Sequence, residues 1–137
     1  MSAMAKTTTF KGASIADCAP RDTVVIVEDD YVIAEDLRYM CEMAGWRVLG
    51  LIGRPKDAAD RIRDLAPSHV LMDIRLGGRK DGIDIAQDVC RNNPTAKVIY
   101  VTASNDPDSL RRIRLSGGQP VLVKPITEAQ LHAALAG

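Results

Sequence analysis

The sequence predicts an α/β protein with a doubly wound, five-stranded parallel sheet and five helices. Two observations carry that expectation. Five short apolar runs punctuate the chain: Val24-Val25-Ile26-Val27, Val48-Leu49-Gly50-Leu51-Ile52, Val70-Leu71-Met72, Val98-Ile99-Tyr100-Val101 and Val121-Leu122-Val123. None alternates apolar with polar as a half-solvated strand does, so each is expected to be covered on both faces, as parallel strands are. The segments between them carry apolar residues at helical spacing, and strands alternating with helices imply right-handed crossovers.

Taken in order, residues 1–21 hold Thr, Ser, Ala and Gly without periodicity and close near Pro20, so a flexible extension is expected there, with the folded domain over 22–137. In the first helix Ile33, Leu37, Met40, Cys41 and Ala44 fall on one stripe, and Gly45 stands where a capping glycine belongs. Ala58, Ala59, Ile62, Leu65 and Ala66 form the second stripe, stopped by Pro67. A third helix over roughly 82–91 carries Ile83, Ala86, Val89 and Cys90 and ends at Asn92-Asn93-Pro94. The fourth opens at Asp106-Pro107, a capping carboxylate before proline at the first helical position, and continues through Leu110, Ile113 and Leu115. Thr127 with Gln130 forms a capping box for the last helix, over about 128–135.

Composition narrows the function. With 137 residues and 46% hydrophobic content the chain suits one domain. Eighteen basic residues balance eighteen acidic ones, which leaves no electrostatic footprint for a phosphate backbone or an anionic membrane, so neither nucleic acid nor membrane is an expected partner. No apolar run approaches the roughly 20 residues that span a bilayer. Lys6, Lys11 and Asp17 interrupt the beginning of the chain where a signal peptide would need an apolar core, so a cytoplasmic protein is expected. Cys18, Cys41 and Cys90 show no CxxC or Cys/His grouping, and His69 and His132 have no second ligand nearby, so all five are read as structural.

The chemistry lies at the strand ends. Glu28, Asp29 and Asp30 follow the first strand, Asp73 the third, Thr102 ends the fourth and Lys124 follows the fifth. In an open parallel sheet these ends meet at one edge, where ligands bind. The acidic triplet alone fits either of two roles, a helix cap or a metal site. Clustered carboxylates repel, and a hard cation such as Mg²⁺ is the natural compensation where no His or Cys is present. Lys124 adds a positive charge and Thr102 a hydroxyl donor, which completes a set suited to holding a phosphoryl group.

The stretches VVIVEDD, HVLMDIRLGG followed by DGID, VIYVTAS and VLVKP resemble the receiver (CheY-like) domain of two-component response regulators over about 22–135. The resemblance implies a flavodoxin/CheY-like sheet in the order 2-1-3-4-5, dependence on Mg²⁺, and phosphoryl transfer from a histidine kinase or histidine phosphotransfer protein to a domain that signals to a downstream effector. It gives Asp73 the phosphoacceptor role, Asp29 and, through water, Glu28 the metal, and Arg75 a metal contact through its backbone carbonyl. Thr102 and Lys124 take the phosphoryl-contacting roles, the Lys124–Pro125 bond is expected to be cis, and Asp30 is left to cap the first helix. A homodimer through the face of the fourth helix, fifth strand and fifth helix is a further implication.

Three positions depart from the commonest pattern: Val121 replaces the switch aromatic, Ser116-Gly117-Gly118-Gln119-Pro120 forms a longer turn, and Gly77-Gly78-Arg79-Lys80 makes the loop after Asp73 basic. The combination is similar to receivers of alphaproteobacterial general-stress and stand-alone regulators. Output is therefore expected to leave through residues 104–120, with Arg111, Arg112 and Arg114 as the surface for an acidic partner or a second receiver. Arg75 and Ser104 are expected to flank the line of water attack on the phosphoryl group. A constitutive interaction module that no longer uses phosphorylation is the competing reading, kept open by Val121. A phosphohydrolase with an Asp nucleophile would need a second Asp where Arg75 stands, and the acidic triplet would repel the phosphate of a flavin nucleotide.

Overall fold

A computed structural model describes residues 22–103 and 106–137. The extension expected over 1–21 lies outside the described residues, as do Cys18 and Ser104. Strands and helices alternate in chain order as β1 (Thr23–Val27), α1 (Tyr31–Met43), β2 (Arg47–Ile52), α2 (Pro55–Leu65), β3 (His69–Met72), α3 (Gly82–Asn92), β4 (Lys97–Thr102), α4 (Pro107–Leu115), β5 (Val121–Val123) and α5 (Glu128–Ala136). The sheet is parallel throughout, in the order β2-β1-β3-β4-β5.

Successive side chains of a strand point to opposite faces, and here both faces are covered. Val25, Val27, Val70, Met72, Val98 and Tyr100 join Ala58 and Ile62 of α2, Ile83, Ala86 and Val89 of α3 and Ile113 of α4 in one core. Val24, Ile26, Leu71, Ile99 and Val101 join Leu37 and Cys41 of α1 and Leu131 and Leu135 of α5 in the other. The expected double coverage holds for β1, β3 and β4 and weakens at the sheet edges, where Val123 is 41% exposed on the three-residue β5. An edge strand has a neighbour on one side only, and helices at the margin cover it incompletely.

The helix caps follow the chemistry of their residues. Asp30 caps α1 by accepting from the Val32 and Ile33 N–H groups, and Asp81 and Thr127 close capping boxes on α3 and α5. Gly45, at φ +89, follows the end of α1 in the left-handed conformation that ends a helix most cheaply in glycine.

Four residues expected on buried stripes are exposed. Ala66 is the end cap of α2, in the left-handed conformation at φ 48. Ala44 is the end cap of α1 rather than a core residue, and Cys90 faces solvent beside the buried Val89. Leu115 is 81% exposed because it follows the buried Ile113 by two positions, about 200° around the helix. The inward face of α4 is instead Ser109 and Ile113, one turn apart. No helix among the described residues is long and apolar enough to cross a membrane.

Candidate functional site

Backbone ladders carry the polar residues to one edge and hold them there. The Glu28 N–H donates to the Ile52 carbonyl at 3.0 Å, the Asp73 N–H to the Val27 carbonyl at 2.9 Å, and the Lys124 N–H to the Thr102 carbonyl at 2.8 Å. Each residue is thus the first beyond its strand yet still tied to a neighbouring one, so its side chain starts from a fixed point.

Glu28, Asp29 and Asp73 offer carboxylate oxygens that lie within 4.8 Å of one another. Glu28 and Asp73 are buried, and Asp29 is exposed at the mouth. The Lys124 ammonium donates to Glu28 Oε1 at 2.6 Å and stands 3.6 Å from Asp73 Oδ2, an ionic contact longer than a hydrogen bond. The other Glu28 oxygen accepts from the Asp30 N–H at 3.1 Å. Burial pushes the Glu28 carboxyl above its ordinary range, opposed by the hydrogen bonds from Lys124 and the Asp30 N–H and reinforced by the charge of Asp73. Asp30 itself is turned away as the α1 cap, as expected. Thr102, 2% exposed, ends the adjoining strand opposite Val123, next to Lys124. The Lys124–Pro125 bond is cis.

Charge decides what such a pocket accepts. Three carboxylates against one ammonium leave a formal charge of minus two, the complement of a divalent cation. The donors are all hard oxygens, and one lies at the solvent edge where an ion can enter, so the residues fit Mg²⁺.

The loop after Asp73 holds the differences from expectation. The Arg75 guanidinium is 72% exposed and pairs with Asp106, the α4 cap, at 3.6 Å. Arg112 differs from Arg111 and Arg114 in its partners, although its side chain is still 40% exposed. It reaches across to Asp81, the cap of α3, and to Asp84 in its first turn, because its place on α4 faces that helix. Gly82, within the DGID stretch, has a defined task. A methyl group there would stand 1.9 Å from the Asp73 carbonyl oxygen, so α3 begins against the backbone of Asp73. Its signal in the sequence is a glycine directly after an N-cap, a place where helices seldom use one.

A family model of the response regulator receiver domain matches residues 24–136. The transcriptional regulatory protein PdtaR of Mycobacterium tuberculosis H37Rv is 32% identical over 120 residues, which cover 88% of this chain and 58% of that protein. This chain therefore spans little more than half of that relative. The chemotaxis protein CheY of Thermotoga maritima is 27% identical over 112 residues, covering 82% of this chain and 92% of the relative. Among solved structures, the signal receiver domain of a modulated diguanylate cyclase from Desulfovibrio desulfuricans G20 superposes with a TM-score of 0.76 at 31% identity, over 83% of this chain and 90% of that one.

Proposed function

This chain belongs to the response regulator receiver domain family of two-component signalling, and from that premise we propose that it is a phosphoryl switch, a receiver over residues 22–137 acting in the cytoplasm with Asp73 as acceptor. The observation that carries the reading is the acidic pocket bridged by Lys124, assembled from the ends of β1, β3 and β5. A histidine kinase or histidine phosphotransfer protein presents a phosphohistidine. An Asp73 carboxylate oxygen forms the new bond to phosphorus as the phosphorus–nitrogen bond breaks, and the leaving imidazole keeps the electron pair and takes up a proton. Lys124 and the Thr102 hydroxyl contact the phosphoryl oxygens and offset the charge that develops there. Asp29, Asp73, the Arg75 carbonyl and, through water, Glu28 would hold Mg²⁺, which would supply the double positive charge that offsets the approach of two anions. Hydrolysis of the acyl phosphate resets the domain. The reaction alters the protein rather than a metabolite, so this is a signalling domain and not a metabolic enzyme. The face of α4, β5 and α5, which exposes Leu115 and Val123, supports contact with an effector or a second receiver.

The test uses Mg²⁺ and acetyl phosphate with intact-mass detection. An acid-stable, base-labile mass gain is expected in the wild type and is lost in Asp73→Asn and in Asp29→Ala. A gain that persists in Asp73→Asn overturns the acceptor assignment, and one that persists in Asp29→Ala or in chelator overturns the metal assignment.

A further inference from the structure

A phosphoryl group at Asp73 matters only if some surface responds to it. Val121, a half-buried side chain restricted at its first torsion, is a poor lever between the pocket and α4. A second connection runs through charged groups. The Arg112 guanidinium donates from Nη1 to Asp81 Oδ2 at 2.6 Å, and from Nη2 to Asp81 Oδ1 at 3.2 Å and to Asp84 Oδ1 at 3.1 Å. Such a forked grip fixes orientation as well as distance, which a single ammonium does not.

Asp81 does two jobs at once. Its Oδ1 also accepts from the Ile83 and Asp84 N–H groups, both at 3.0 Å, while Asp84 Oδ2 accepts from the Asp81 N–H at 3.2 Å. Burial alone would raise the Asp81 carboxyl, but the hydrogen bonds from Arg112 and from the cap hold it below its ordinary range. The next residue, Gly82, donates its N–H to the Ile74 carbonyl at 2.7 Å and lies against the Asp73 carbonyl with no room for a side chain. Arg112, Asp81, Gly82 and Asp73 therefore form an unbroken line of contacts from α4 to the acceptor. The Arg75–Asp106 pair, at 3.6 Å, ties the same loop to the start of α4.

We propose that Arg112 is a positioning residue that couples α4 to the phosphoacceptor loop, so that movement of residues 74–82 on phosphorylation is passed to α4 through the Asp81 cap. The inference rests on the reading of Asp73 as the acceptor. An arginine without fixed partners would follow neither element. This one is held by the cap of the helix that begins on Asp73, and it moves with that cap.

The experiment is peptide-resolved amide exchange on the full chain, with and without beryllofluoride and Mg²⁺, in the wild type, Arg112→Met and Arg112→Lys. Phosphorylation by acetyl phosphate is measured first for each protein, and exchange changes are scaled to site occupancy. No mass gain in the wild type would defeat the acceptor reading itself, a failure separate from that of the coupling. With acceptor chemistry present, the mimic is expected to change exchange over both 74–83 and 107–116 in the wild type. In Arg112→Met the change over 74–83 persists while that over 107–116 falls by about fivefold or more, the lower end of ordinary coupling between sites. Arg112→Lys, which keeps the charge without the fork, gives an intermediate response and decides the matter if the Met variant does not fold. Wild-type behaviour of α4 in either variant, or a wild-type response confined to 74–83, overturns the proposal.

Discussion

Adding one methyl group at position 82 tests how closely α3 is seated on Asp73, the proposed acceptor. In an ordinary helix interior Gly→Ala gains about 0.5–1 kcal/mol, because alanine loses less backbone entropy on folding. Here the new Cβ would stand 1.9 Å from the Asp73 carbonyl oxygen, 2.8 Å from its carbon and 2.9 Å from the Ile74 Cα. All three are backbone atoms, so no side chain can swing aside. Opening the closest contact to 3.0 Å separates the start of α3 from the Asp73 peptide by roughly an ångström. That shift strains the 2.7 Å hydrogen bond from Gly82 to Ile74 and draws Asp81 away from Arg112. Overpacking of this kind costs about 1–3 kcal/mol, and a weakened buried hydrogen bond costs about 1 more. Gly82→Ala is therefore expected to destabilise by about 2–3 kcal/mol, with the sign opposite to helix propensity. A misplacement near 1 Å at a reacting group costs about 100-fold in rate, so phosphorylation should slow on that scale. Urea denaturation and the initial rate of mass gain from acetyl phosphate measure the two effects. A Gly82→Ala protein as stable as wild type and phosphorylated at the same rate would refute the close seating of α3 on Asp73.

Three further outcomes follow from buried groups. Lys124→Met leaves the buried Glu28 carboxylate without its 2.6 Å partner, and breaking a buried pair costs about 3 kcal/mol or more; urea melts should show the loss, with Mg²⁺ restoring more stability to the variant than to wild type, and equal stabilities would contradict it. Burial, helped by the charge of Lys97, holds the His69 imidazole below its ordinary value, so the unfolded chain protonates first as pH falls past about 6.5 and stability declines from there; urea midpoints that stay level between pH 8 and 5, or that fall equally in His69→Gln, would count against this. The Cys41 thiol is buried and pushed up to about 12, while Cys90 is exposed, so iodoacetamide should modify Cys90 in the folded protein and Cys41 only after denaturation, as peptide mass mapping would reveal.

The elements and the convergence of the site were legible for one physical reason. In a parallel sheet every strand delivers its carboxyl end to the same edge, so the order of polar residues along the chain already gives their neighbourhood in space. Glu28, Asp29, Asp73 and Lys124 accordingly meet, and Asp30, recognisable as a cap, turns away. What was not legible depends on the angle at which a helix is set. Arg111, Arg112 and Arg114 look equivalent in sequence, but only the rotation of α4 decides that Arg112 meets Asp81, 31 positions earlier. The same uncertainty of angle misplaced Cys90 and Leu115 on buried stripes. The pairing of Arg75 with Asp106, a cap residue with a second oxygen able to take a cation, likewise depends on where the fold sets the start of α4. The clash that excludes a side chain at Gly82 arises between backbone atoms, so its one trace in the sequence is the glycine directly after an N-cap.

The placement of Lys124 directly after β5 bears on how the proposed switch responds to a phosphoryl group. With Asp73 unmodified, Lys124 is bonded to Glu28 at 2.6 Å and only in ionic contact with Asp73 at 3.6 Å. A phosphoryl group on Asp73 brings additional negative oxygens to the side where the ammonium is now loosely held, so attraction there grows while the pull of Glu28 stays constant. The ammonium must be able to shift without tearing the sheet. Asp73 and Thr102 end strands with neighbours on both sides, whereas Lys124 leaves a three-residue edge strand, tied back by one 2.8 Å hydrogen bond from its N–H to Thr102. Asp73, the proposed acceptor, thus follows a strand in the middle of the sheet, and Lys124 follows one at its edge. That division suits a site in which the acceptor must stay fixed during transfer while its surroundings change after it.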